Sequence, residues 1–237
     1  MRKKQTILTV ANYKTLKGRV VGFETFGIHF APANLSGYEV CHKRTKGCTL
    51  SCLNGAGMGA FSTTQTARKE KTKTFFEDRE NFLDQLINHE IPNAIKKAEK
   101  KGLTAVFRLN LTSDVEWENV KFQGETIFEH FPNVQWSDYT KNLDRLALQI
   151  PNYHLTFSRA ETKWSQIQAE IALKKGFNVA FVFNTKKDQP LPKQYNGFKV
   201  IDGDENDLRF KDEKGVIVGL RAKGPAKKDK TGFVVNV

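Results

Sequence analysis

The sequence predicts an α/β fold, a partial or irregular β/α barrel with a mostly parallel sheet behind a β-rich N-terminal segment. Three observations carry that expectation. From Leu103 onward, short β-branched and aromatic runs alternate with stretches of helix formers, the pattern of βαβ units on a parallel sheet. The runs follow one another closely, which suits a barrel of sequential neighbours better than a doubly wound sheet. The 237 residues are enough for one such core. A single domain is expected over 1–224, followed by a loose basic tail over 225–237.

Taken in order, 6–10 and 19–30 are rich in β-branched and aromatic residues and read as strands, with Gly18 in a hairpin turn between them. Pro32 and the 34–37 stretch break the pattern. A helix is expected from Ser62, which has capping-box spacing to Gln65. Phe75, Phe76, Phe82, Leu83, Leu86 and Ile87 recur at three- and four-residue intervals and form its apolar face. Pro92 should end or kink that helix, and a second piece over 93–101 should stop at Gly102. Strands follow at 104–110, 134–139, 153–157, 178–183, 198–201 and 216–220. Helices are expected between them at 122–130, 142–149 and 163–175, the last closed by Gly176.

The stretch that stands out chemically is 41–52. It holds all three cysteines of the chain within twelve residues and runs into Gly55, Gly57 and Gly59. Structural cysteines have no reason to cluster so tightly, whereas thiolates that share a metal or an iron–sulfur cluster must. Cys41, Cys48 and Cys52 are therefore the expected metal ligands, and the glycines would let backbone approach the centre. Zinc is the rival occupant, with His42, His29 or His154 as a fourth ligand. The gaps of six and three residues fit the usual zinc pairs poorly, so the spacing favours iron and sulfur. Three cysteines leave one unpaired in any disulfide scheme, and no apolar leader follows the basic 1–5 segment. Both point to a cytoplasmic protein with free thiols, and no long apolar run suggests a membrane.

The formal net charge is +12, and residues 1–23 carry six Lys or Arg and no acid. That excess points to nucleic acid or a phosphate-bearing ligand as partner. In parallel β/α folds the chemistry gathers at the carboxyl ends of strands. Those positions supply Asn110, Thr112, Ser113 and Asp114, then Tyr139, Thr140 and Lys141, then Ser158, Arg159 and Glu161, then Asn184 and Lys186. Together they make a polar mouth facing the cysteine loop.

The cysteine loop, the segment Phe107-Arg-Leu-Asn-Leu-Thr-Ser-Asp114 and the segment Trp136-Ser-Asp-Tyr-Thr-Lys141 together resemble the phage gene product 88 family. The closing segments 200–210 and 219–224 look like those of its phage and prophage members, so the resemblance covers about 35–224. The family carries no settled biochemical role. Its barrel and three-cysteine loop are similar to radical S-adenosylmethionine (SAM) enzymes, which implies a [4Fe–4S] cluster on Cys41, Cys48 and Cys52 with one iron left open. SAM is then the implied cofactor. Gly55, Gly57, Gly59, Asn110, Ser113, Asp114, Tyr139, Lys141 and Ser158 are the implied cofactor-binding residues. This chain departs from the usual radical SAM spacing, in which three and two residues separate the cysteines. It also has Leu53 where the family often has an aromatic.

Other chemistries find less support. Asp202, Asp204, Asn206 and Glu213 fall on ligand positions of a calcium loop, but Asp207 stands where that loop needs glycine. No His-x-His pair suits a DNA-nicking tyrosine, and no Gly-x-Ser-x-Gly elbow suits a serine hydrolase. The alternative to an iron–sulfur enzyme is a non-catalytic, zinc-stabilised protein that binds nucleic acid through its basic surface.

Overall fold

The computed structural model describes residues 6–10 and 16–237. The basic 1–5 segment lies outside them. Strand β1 (Leu8–Thr9) pairs antiparallel with β2 (Phe23–Ile28), so the N-terminal hairpin exists. Gly18 sits in a 3₁₀ turn, Lys17–Val21, rather than at the reversal. Next in the chain are β3 (Thr104–Arg108), a small hairpin of β4 (Lys121–Phe122) and β5 (Glu125–Thr126), β6 (Gln135–Thr140), β7 (Tyr153–Ser158) and β8 (Val179–Phe183). The last strands are β9 (Gln194–Tyr195), β10 (Phe198–Asp202), β11 (Ile217–Arg221) and β12 (Val234–Val235).

The main sheet has ten strands, and its parallel run β2-β3-β6-β7-β8-β11 follows chain order, as the sequence predicts. It remains open, with β1 at one end and β9 at the other. Side-chain alternation divides it into two faces. Phe26, Ile28, Phe107, Leu109 and Trp136 point one way, into a core closed by Phe75, Phe82, Leu86 and Ile91 from the helical layer. Burying rings and aliphatic chains there is the main stabilisation, roughly 1.5–3 kcal/mol for each large side chain.

That layer comprises α2 (Ser62–Glu77), α3 (Arg79–Asp84) and α4 (Ile91–Glu99), preceded by the short α1 (Lys46–Leu50). Ser62 is not the N-cap: Phe61 occupies that position, and Gln65 instead donates its amide to the Asn54 and Gly59 carbonyls. Pro92 lies in the first turn of α4, where its missing N–H is harmless. A π-helical turn, Gln85–Glu90, links α3 to α4. Its Glu90 carboxylate accepts from the Ile7 and Leu8 N–H groups, tying β1 to the helices.

Three further expectations change. The 122–130 helix is mostly hairpin, with only α5 (Ile127–His130) helical and closed by a Thr126–Glu129 capping box. The 142–149 helix is a 3₁₀ turn, Leu143–Ala147, bent to bury Arg145. The C-terminal tail is not loose. Strand β12 pairs with the carboxyl half of β8, where β7 has diverged, and Arg159 donates to the Gly232 and Phe233 carbonyls at 2.8 Å. Phe233, Val234 and Val235 are buried, so a short apolar run outweighs the lysines before it. Helix α6 (Lys163–Lys174) spans β7 to β8 and ends at Gly176, φ +84°. Among the described residues no helix is long and apolar enough to cross a membrane.

Candidate functional site

The cysteine loop leaves the carboxyl end of β2 and lies against the ends of β3 and β7. Its first anchor is Ala33, at φ +54°, whose N–H donates to Cys41 Sγ at 3.5 Å and whose carbonyl accepts from Val40. The Val40 carbonyl accepts from the Asp114 N–H at 2.8 Å, joining the loop to the end of β3. Thr45 then caps α1 by accepting from the Cys48 N–H at 3.2 Å. Cys48 lies within α1, and Cys52 follows just beyond its C-cap, Ser51, in extended backbone. Beyond β7, the Glu161 carboxylate accepts from Thr45 Oγ1 at 2.6 Å and from the Gly47 N–H at 2.8 Å. Burial pushes that carboxyl up, but these two bonds hold it below the ordinary carboxylate value.

The three thiols share one electrostatic neighbourhood. Burial pushes Cys41 up to about 12, the Ala33 N–H works against that, and charge on Cys48, Asp114 or Cys52 raises it further. Burial also raises Cys52, while the Asn54 N–H, Arg68 and Lys141 favour its thiolate. N–H donors and two cations around the sulfurs are what a set of thiolate ligands needs. Among the described residues, no group of three or more His, Cys, Asp or Glu stands ready to hold a metal ion. His29 and His154, the expected zinc partners, instead lie among cations.

The glycines serve the loop's packing. A Cβ on Gly59 would lie 2.8 Å from the Asn54 carbonyl and 3.1 Å from Arg68 Nη1, and Arg68 Nη1 bonds Asn54 Oδ1 at 2.6 Å. A Cβ on Gly55 would lie 3.0 Å from Pro225 Cγ, and Gly57 has φ +51°. At the end of β3, Asn110 Oδ1 accepts from Ser113 Oγ and the Val115 N–H, both at 2.8 Å. Asp114 pairs with Arg145 at 2.6 Å and accepts from the Lys141 N–H at 2.8 Å. Asn110 and Ser113 are thus bonded within their own loop, Asp114 ties it to the segment after β6, and Thr112 donates to the Phe30 carbonyl.

Tyr139, Lys141 and Ser158 differ. Alternation and register put them on the inner face of the sheet, opposite the helical core. Lys141 Nζ donates to the Ser158 carbonyl and Oγ at 3.0 Å, and it sits 5.2 Å from the Phe233 ring centroid. Tyr139 OH is buried and makes no hydrogen bond among the described residues, nor do Thr25 Oγ1 and Thr156 Oγ1 on the same face. Arg108, also there, lies 4.9 Å over the Tyr139 ring and pairs with Asp207.

Sequence reading placed Arg108 in a strand and in the segment that carries the family resemblance, and gave it no role at the site. A charged residue at two-residue spacing from Val106 and Asn110, on the face opposite Phe107, was the available signal. The acids of the would-be calcium loop go elsewhere: Asp202 and Asp204 bond Arg221, Asp204 also Lys223, and Glu213 bonds Lys199.

Buried titratable groups make folding sensitive to acid. Burial, with Arg68, Lys71 and Arg108 adding, takes His29 from 6.5 to about 3. Burial, with Arg209 and Lys214, takes His154 to about 4. Both are depressed, so their contribution is full above the unfolded value and is lost as pH falls. Buried Asp138 runs the other way, raised from 3.8 to about 6, so its contribution is lost as pH rises between those values. Two histidines outweigh one aspartate between about pH 4 and 6, leaving a net uptake of one proton on unfolding. Stability should fall by about 1.4 kcal/mol for each pH unit lowered there. Urea denaturation at several pH values checks this; a flat or opposite trend would refute it.

A family model described as Gene product 88 matches residues 2–237. The chain therefore belongs to the gene product 88 family. Searches of curated proteins and of solved structures returned no match.

Proposed function

We propose that this gene product 88 protein is an iron–sulfur enzyme of radical SAM type, with a [4Fe–4S] cluster on Cys41, Cys48 and Cys52. The observation that carries this reading is the position of the cysteine loop. It follows the first of a sequential run of parallel strands and is bonded to the ends of two others through Asp114 and Glu161. The donor set suits the group: soft thiolates on one short loop, N–H groups on the sulfurs of Cys41 and Cys52, and Arg68 and Lys141 to balance their charge. Hydroxyls on the inner face without partners among the described residues, at Thr25, Tyr139 and Thr156, suit a polar cofactor beside Lys141 and Ser158. When bound, such a cluster would supply the electron for cofactor cleavage.

The chain's own residues have defined parts in this reading. Glu161 and Asp114 fix the loop, Arg68 and Lys141 favour the charged thiolates, and Tyr139 presents a hydrogen-bonding edge. The net charge of +12 favours a substrate bearing phosphate. It also favours the second reading, a zinc-stabilised nucleic-acid-binding protein without catalysis.

Anaerobic purification followed by a visible spectrum and iron, sulfide and zinc analysis tests both. The expected result is a coloured protein with about four irons per chain. Cys48→Ala should abolish the colour while leaving the circular dichroism of the fold intact. One zinc and no colour would overturn the enzyme reading in favour of the second.

A further inference from the structure

A cavity of about 360 Å³ opens beside the cysteine loop, at the carboxyl ends of β6 and β7. Its volume falls within the range of small-ligand sites, about 300–1,000 Å³. The lining joins Lys43 of the cysteine loop, Lys141 after β6, and Trp164 and Gln168 of α6, over a floor that includes Ala160. Three features single it out.

Trp164 is 64 % exposed, whereas the other two tryptophans, Trp117 and Trp136, are 0 % exposed. An indole left in water at a cavity edge loses its usual burial and offers a flat π surface. Gln168 follows one helical turn later, on the same face of α6. It is half-buried, and its amide makes no hydrogen bond among the described residues. Lys43 is exposed and has no ion pair there either, while Lys141 is held by Ser158. Asp144 is the sole acid of the lining.

An aromatic platform, a free donor–acceptor amide and a free ammonium match the three parts of a nucleotide. We infer that this cavity binds a nucleoside phosphate, with the base stacked on Trp164, its edge bonded to Gln168 and its phosphate held by Lys43. The same chemistry is presented by a free nucleotide and by one residue of a single strand. The inference stands whether or not the neighbouring loop carries a cluster.

Because the other indoles are buried, ligand quenching of tryptophan fluorescence reports mainly Trp164. Adenosine and uridine monophosphates, ribose 5-phosphate, inorganic phosphate and a short oligothymidylate are the probes. Saturable quenching is expected with base-bearing probes alone, weakening with salt. Tighter binding of the oligonucleotide would name a single strand as the source, and tighter binding of a mononucleotide a free ligand. Trp164→Leu, followed by equilibrium dialysis, should weaken binding by roughly tenfold or more. Lys43→Met should weaken it and flatten the salt dependence. All three side chains leave the core untouched, so the variants should fold. Equal response to ribose 5-phosphate, no saturable quenching, or wild-type affinity in both variants would overturn the inference.

Discussion

Replacing Arg145 with Met should destabilise the protein by about 3–5 kcal/mol, the usual consequence of stripping one partner from a buried ion-pair network. The side chain is only 3 % exposed. Its guanidinium pairs with Asp114 at 2.6 Å and with Glu118 at 2.6 and 2.8 Å, and it also bonds Tyr153 OH at 3.1 Å. Methionine fills similar volume, so cavity formation is a minor part of the loss. The main part is two carboxylates left in a site that already raises Asp114 by burial, with Arg145 the leading counterweight.

For a chain of this size the melting temperature should fall by roughly 10 °C. The loss has a pH signature that a packing defect lacks. Without Arg145 the carboxyls hold protons more tightly, so the variant should recover part of its deficit as pH falls from 8 to 5. Adding Asp114→Asn and Glu118→Gln should recover part of it at neutral pH. Urea unfolding of the single and triple variants at both pH values measures this, and a loss under 1 kcal/mol would refute the account.

Arg145 also shows where sequence reading stops. Hydrophobic alternation located each parallel strand from β3 to β11 to within a few residues, because apolar burial on one face is a local signal. The cysteine loop was legible as well, since thiol clustering needs no knowledge of the fold. What could not be read was how polar side chains would be divided between scaffold and site. Asn110, Ser113 and Asp114 stand at a strand end as Tyr139 and Lys141 do. Only three-dimensional packing shows the first group engaged in scaffold bonds, within its loop or to the segment after β6, and the second on the inner face. Arg145 fell inside the expected 142–149 helix with nothing to mark it, because its partners lie 27 and 31 positions away. The last strand was missed for a related reason: Val234 and Val235 are too short a run to outweigh the lysines around them until β8 supplies a partner.

Gly47→Ala should release the cysteine loop from the sheet while sparing the fold. A methyl at Gly47 would lie 2.6 Å from Glu161 Oε2 and would also collide with Thr231 Oγ1. The carboxylate is the flexible end of its side chain and can swing away, but doing so surrenders the bonds from Thr45 Oγ1 and the Gly47 N–H. Bonds to a charged acceptor contribute about 1.5–3 kcal/mol each, so the loop's local stability should drop by roughly 3 kcal/mol or more. The aromatic core under α2 does not touch this contact, and the main unfolding transition should move far less. Thiol labelling of the unloaded protein should accelerate by about a hundredfold if it proceeds through local opening. The same variant, reconstituted anaerobically, should hold less iron than the wild type. Glu161→Gln keeps one acceptor oxygen where the carboxylate offers Oε2 to Thr45 and Oε1 to Gly47, so it retains one of the two bonds without the charge and should fall between the two proteins. Unchanged labelling in Gly47→Ala would mean that Glu161 does not hold the loop, whatever the metal content proves to be.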